Sequence, residues 1–140
     1  MGDIVSRGKR SQMMSGIRSK NTLPEIAVRQ WLYSQHIGYR LHRRDLPGTP
    51  DVVIQRLGLA IFVHGCYWHR HPGCKLAYVP KSHQKFWLAK FQANVDRDKR
   101  ELSELASAGW HVLVIWECQV RSGEYASILA KELRTDEHGS

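Results

Sequence analysis

Residues 51–74 read DVVIQRLGLAIFVHGCYWHRHPGC, and the segments on either side are arranged to hold them. Two β-branched runs, 51–54 and 59–64, flank a turn around residues 56–58, which is the pattern of a hairpin. Asp51 opens the first run and His64 closes the second. Antiparallel pairing therefore predicts a carboxylate and an imidazole side by side at one edge of a sheet. Directly afterwards, residues 64–74 pack three histidines and two of the chain's three cysteines into one knuckle. Cys66, His71 and Cys74 have C-x4-H-x2-C spacing, and Cys118 stands at the end of a later apolar run. Three thiolates and one imidazole complete a closed tetrahedral Zn2+ site, a structural clip that leaves His64, Tyr67, Trp68 and His69 for other work. The competing reading is that these cysteines are ordinary buried hydrophobes.

Upstream, Thr22-Leu23-Pro24-Glu25 is a capping box with proline in the first turn, predicting a helix over 22–35 with Val28, Trp31 and Leu32 on its inner face. Capping Thr22 is a sufficient structural task for Glu25. Gly38 ends that helix, 39–42 reads as a first strand, and Pro47-Gly48 and Thr49-Pro50 make 43–50 a turn region. Downstream, the longest helical pattern spans 83–108, with Trp87, Phe91, Val95, Leu102 and Leu105 as its apolar stripe. Asp98 falls on that stripe. An acid on a buried line is costly unless paired, so Asp98 is expected to face the site and partner a histidine or a basic group. Residues 110–116, WHVLVIW, predict a strand in the middle of the sheet with both faces covered, ending so that Cys118 reaches the edge that carries the knuckle. A last helix over 124–133 docks through Tyr125, Ile128 and Leu129, and the tail 135–140 is expected to fray. The order helix, three strands, long helix, strand, helix gives an α/β protein with a mixed sheet flanked by helices.

A chain of 140 residues suits a single domain, 1–140. Lys and Arg number 21 against 13 Asp and Glu, a net charge of +8, and among the first 44 positions only Asp3 and Glu25 are acidic. That asymmetry favours a polyanion partner, most simply nucleic acid. Residues 1–21, polar and basic with Met13, Met14 and Ile17 at near-helical spacing, read as an N-terminal arm able to clamp a duplex. The odd cysteine count argues against a disulfide framework, and no signal-like or membrane-spanning apolar run is present. A reducing cytoplasm and no membrane partner are the expectation.

Several of these segments resemble one family together. Pro50-Asp51-Val52-Val53, the block from Phe62 through His69, Asn94-Val95-Asp96-Arg97-Asp98, Arg10-Ser11-x-x-Met14 and Thr22-x-x-Glu25 are similar to the motifs of bacterial very-short-patch-repair (Vsr) DNA mismatch endonucleases. The resemblance runs from about Arg10 to Gly123. It implies a restriction-endonuclease-like fold and a Mg2+-dependent nick on the 5′ side of the thymine in a T·G mismatch left by deamination of 5-methylcytosine. Residue by residue, it implies Asp51 as a Mg2+ ligand aided by the main-chain carbonyl of Val63, and His69 as general base toward the attacking water. It further implies His64 and Asp98 as a supporting pair and Glu25 as an ordering group. Cys66, His71, Cys74 and Cys118 would hold structural Zn2+, Tyr67 and Trp68 would wedge in from the major groove, and Met14, or its neighbour Met13, from the minor groove. The implied partner is double-stranded DNA bearing the mismatch, with mismatch-repair proteins as further partners, and the implied state is a monomer at the bacterial nucleoid. The wider nuclease fold carries an acid and a lysine on its second strand, where Phe62-Val63-His64 offers neither.

Two other functions fit the same residues. One is a restriction-like nuclease of this fold without mismatch specificity, which has no reason to expose the Tyr67 and Trp68 rings. The other is a zinc-stabilised DNA-binding module without catalysis, holding phosphates with its basic arm.

Overall fold

A computed structural model describes residues 22–139. The basic arm over 1–21, with Met13 and Met14, lies outside the described residues.

The elements are α1 (Leu23–Ser34), β1 (Arg40–Leu41), β2 (Val52–Ile54), β3 (Leu59–His64), α2 (Gln84–Ser107), β4 (His111–Trp116), α3 (Glu117–Ser122) and α4 (Glu124–Gly139). At the head of α1 the Glu25 N–H donates to Thr22 Oγ1 at 3.3 Å, so the Thr22 half of the predicted capping box forms. Between β2 and β3 a single 3-10 turn, Gln55–Leu57, ends on Gly58 at φ 62°, a left-handed conformation that a residue without Cβ adopts freely.

The four-stranded sheet has the order β1-β2-β3-β4. β1–β2 and β2–β3 are antiparallel, and α2 is the crossover that makes β3–β4 parallel. Side chains of β3 alternate between two cores. Leu59 and Ile61 point to one face, where Val28 and Leu32 of α1 and Leu129 of α4 pack against them, all fully buried. Ala60 and Phe62 point to the other, under Leu105 of α2. Each such side chain contributes roughly 1.5–3 kcal/mol when buried, so β3, buried on both faces, anchors the sheet.

The mixed sheet flanked by helices is as the sequence predicted, but four details differ. The run 110–116 is not a middle strand: β4 lies at the edge of the described sheet, and β3 lies inside it. The apolar run was a report on two covered faces, since Val112 and Val114 meet the α2 side while Leu113 and Ile115 meet the α1/α4 side. Coverage of faces says nothing about the number of neighbouring strands. β1 is shorter than 39–42, because His42 turns to φ 49° and its N–H donates to the Asp51 carbonyl at 3.1 Å. Cys118 sits in α3, not at a strand end. Finally, α4 continues through Gly139 where the tail was expected to fray, and no Pro or Gly interrupts it before that residue.

The topology gathers the site. Antiparallel β2 begins, and parallel β3 and β4 end, at the same edge: Val52 pairs with Ile61, and His64 with Trp116. Cys66 and Cys118 each lie two residues past one of the paired ends, His64 and Trp116.

Candidate active site

At the β2 corner of that edge, Asp51 Oδ2 accepts the Val63 N–H at 2.8 Å. Glu25, 1% exposed, turns its carboxylate inward to the same corner, and its Oε2 accepts from Arg29 Nη1 at 3.0 Å and lies 2.8 Å from His42 Nε2. Carboxylate and ring atoms of Glu25, His42 and Asp51 lie within 4.8 Å of one another. Burial pushes the Asp51 carboxyl up to about 7; the Val63 N–H opposes that shift and the neighbouring Glu25 charge reinforces it. Two acids crowded in this way are eased by a divalent cation with a preference for oxygen. Glu25 therefore does more than cap a helix.

Beside it, at the end of β3, the His64 and His69 rings stack at a centroid distance of 3.8 Å and an interplanar angle of 5°. His69 Nδ1 lies 2.6 Å from Asp98 Oδ2 on α2. Asp98 thus faces a histidine as its place on the apolar stripe predicted, and of the two neighbouring imidazoles it is His69 that takes the hydrogen bond. His64 stacks on His69, with ligand atoms of His64, His69 and Asp98 all within 4.8 Å of one another, and it packs edge-on to Trp116 at 5.3 Å. Burial, reinforced by the His69 and Arg97 charges, pulls the His64 imidazole down to about 3, so it is neutral at physiological pH. Burial pushes the Asp98 carboxyl up, and the His69 hydrogen bond together with the His69 and Arg97 charges more than offsets this, leaving it below its ordinary value. With Nδ1 engaged by Asp98, Nε2 is the remaining ring nitrogen of His69. Parallel stacked imidazoles direct their in-plane lone pairs alongside one another, so His64 and His69 are ill-suited to chelate one ion together.

The knuckle forms a third cluster. Donor atoms of Cys66, His71, Cys74 and Cys118 lie within 4.8 Å of one another. His71 Nδ1 is 3.7 Å from Cys66 Sγ and 3.4 Å from Cys118 Sγ. A tetrahedron with ordinary Zn–S and Zn–N bonds has an S···N edge of about 3.6 Å, so these residues fit Zn2+. Around them, the Cys118 N–H donates to Cys66 Sγ at 3.4 Å, the Cys66 N–H to Glu117 Oε1 at 3.3 Å, and the His71 ring stacks on Trp116 at 4.2 Å. Burial pushes the Cys66 thiol up to about 12 and the Cys118 thiol upward too, while the Leu76 main chain holds the Cys74 thiol below its ordinary value, so it is Cys66 and Cys118 whose ionisation calls for a cation.

Tyr67 and Trp68 leave the knuckle edge-on to each other at 4.8 Å and rest on α2, with Phe91 5.3 Å from Tyr67 and Trp87 6.0 Å from Trp68. Asn94 Nδ2 holds the Trp68 carbonyl at 3.2 Å. Met14 lies outside the described residues. Sequence reasoning missed His42, whose bond to Glu25 spans 17 residues with no spacing rule to announce it. It also missed Arg70, Asn94 and Glu117 as holders of the knuckle.

Among the described residues no helix is long and apolar enough to cross a membrane. The model of the family DNA mismatch endonuclease Vsr matches residues 2–75. The Type II nicking enzyme V.XorIIP of Xanthomonas oryzae pv. oryzae is 48% identical over 120 residues, covering 86% of this chain and 88% of the relative. DNA mismatch endonuclease Vsr of Escherichia coli (strain K12) is 40% identical over 124 residues, covering 89% and 79%. Among solved structures, the catalytic domain of homing endonuclease I-Bth0305I superposes with a TM-score of 0.54 at 26% identity, covering 83% of this chain and 94% of that one. Likeness on this scale runs through the whole hairpin, knuckle and α2 framework and not only its reactive side chains, and by it this chain belongs to the Vsr family of DNA endonucleases.

Proposed function

We propose that this chain is a strand-specific DNA mismatch endonuclease that hydrolyses the phosphodiester on the 5′ side of the thymine in a T·G pair. The observation that carries the reading is the hydrogen bond between His69 and Asp98 at the edge where Asp51 is bound to Val63. Asp98 fixes the tautomer and direction of the His69 ring, and His69 Nε2 takes the proton of the attacking water. Neutral His64 forms the wall behind that ring, excluding water without competing for the proton.

Asp51, with the Val63 carbonyl, would hold Mg2+. Val63 is suited to this because an extended residue points its N–H and carbonyl to one flank, and its N–H already meets Asp51. When bound, the cation supplies charge stabilisation at the phosphate. Glu25, kept in place by Arg29 and His42, orders the Asp51 corner. Cys66, His71, Cys74 and Cys118 would hold Zn2+ as a clip between the knuckle and α3. Tyr67 and Trp68 would insert beside the mismatch, where a poorly stacked pair opens at least cost and a ring recovers stacking. Met14 would enter from the opposite groove. The relatives support the reading by their names, which speak of mismatch cleavage in one case and of nicking in the other. The likeness to a homing endonuclease catalytic domain supports an endonuclease architecture.

A strand-nicking assay with Mg2+ on T·G and C·G duplexes of otherwise identical sequence tests the proposal. Its expected result is a single nick 5′ of the mismatched thymine and none in the C·G duplex. Equal cutting of both would favour an unselective nuclease, and binding without cutting a DNA-binding module.

A further inference from the structure

Arg70 has a local setting that the proposed chemistry leaves unused. It stands at φ 56°, a left-handed conformation uncommon for a residue with a side chain. From there Nη1 donates to the Tyr67 carbonyl at 2.9 Å and Nη2 to the Ala77 carbonyl at 2.8 Å, closing the metal-binding loop between those residues. The guanidinium carbon also lies 3.8 Å from the centroid of the Phe91 ring and 5.4 Å from that of Tyr67. Tyr67 and Phe91 meet edge-on at 5.3 Å, and Tyr78, the residue after the gripped carbonyl, lies 5.0 Å from Tyr67 and is 62% exposed.

A loop staple would require only the two carbonyl bonds. Here the same planar fork lies over an aromatic ring of α2 and against Tyr67, so it sets where Tyr67 stands on the helix as well as how the loop closes. A ring that is to be driven between bases must not swing away as it meets resistance, and holding it beforehand removes the ordering cost at the moment of binding.

We propose that Arg70 is the positioning residue for the inserting rings, tying Tyr67 to Phe91 and bringing Tyr78 up as a further ring beside it. The proposal rests on the reading of Tyr67 and Trp68 as the residues that enter the mismatch. The Arg70 guanidinium spends its contacts on the Tyr67 and Ala77 carbonyls and on the Phe91 and Tyr67 rings, so its effect falls on ring insertion and, through that, on nicking.

The test uses T·G duplexes with 2-aminopurine next to the mismatch, whose fluorescence rises when its stack is broken, alongside anisotropy for binding and single-turnover nicking with Mg2+. The parent protein is expected to give a rise on binding. Arg70→Ala should still bind, with a smaller rise per bound duplex and nicking slowed about tenfold or more. Arg70→Lys keeps the charge but not the two-pronged fork and should lie nearer to Arg70→Ala than to the parent. Phe91→Leu keeps the bulk without the ring face and should move the same way by less. Metal content equal to the parent's shows that the loop has kept its site, and if Arg70→Ala loses it, the Lys and Leu variants decide. A parent-like fluorescence rise in Arg70→Ala or in a fully metallated Arg70→Lys would overturn the assignment, whatever the nicking rate. Tyr67→Ala and Trp68→Ala distinguish the two levels: if they too retain the full rise, the insertion reading itself has failed; if only they lose it, the failure is Arg70's alone.

Discussion

The sheet edge carries two kinds of donor cluster a few residues apart, and they are built oppositely. The sulfur-rich one, from Cys66, His71, Cys74 and Cys118, closes on itself, its four donors all within 4.8 Å and its shell filled by Trp116 and main-chain N–H groups. The oxygen and imidazole groups are held by different means: Asp51 by a backbone N–H, and His69 by Asp98. Closed soft donors suit a metal that holds a fold, while aimed hard donors suit one that meets a substrate. Proximity of two such clusters therefore does not imply a shared task.

The sharpest way to break this contrast is to remove a donor from each side. Cys66→Ala should cost the fold, since structural zinc contributes on the order of 10 kcal/mol to small sites; thermal melts with bound-metal analysis should show an early transition and lost metal, and a stable metal-free variant would sink the clip. Asp51→Ala or His69→Ala should leave the melt within a few degrees of the parent and mismatch binding intact, while nicking falls by roughly 10²–10⁴-fold. Unfolding of those variants would erase the distinction between the two clusters.

Next in size comes Asp98→Asn. The amide still meets His69 Nδ1 but no longer selects its tautomer, so single-turnover nicking should drop by about 10–100-fold with binding unchanged. Unchanged nicking would detach Asp98 from the reaction.

The last contrast lies in stability against pH, where opposing shifts leave the parent's own profile shallow. Asp51 has a folded-state pKa of about 7 against an ordinary value of 3.8, so the native state binds more protons than the unfolded chain between those limits, and stability falls as pH rises through that window. Asp51→Asn should therefore melt higher than the parent above pH 7 in Mg2+-free buffer, with the gain fading toward pH 4. His64 works in the other direction: its folded value of about 3 lies below its ordinary 6.5, so it costs stability as pH falls below that value. The parent should thus have a shallow profile from pH 4 to 6.5, and Asp51→Asn should expose the acid-side loss that Asp51 masks. Differential scanning calorimetry over that range would settle both signs.

Much of this was readable without coordinates, and the readable parts were local. The hairpin followed from two β-branched runs and a turn, the α1 cap from Thr22 and Pro24, and the orientation of Asp98 from one acid on an apolar stripe. What misled was any inference about neighbours. An apolar run could not distinguish an edge strand with both faces covered from a central one, and the stripe could show that Asp98 faced the histidines without showing which it reached.

By itself the sequence determined most of the elements, the four donors of the knuckle and the family resemblance, because capping, periodicity and ligand spacing act over a few residues and are written in residue order. Only tertiary structure decided that His69 and not His64 holds Asp98, that Glu25 turns inward onto His42, and that Arg70 bridges the loop to α2. Those choices depend on the parallel register of β3 and β4 and on the direction of single hydrogen bonds across segments far apart in the chain, and such registers are fixed by packing both faces of the sheet at once.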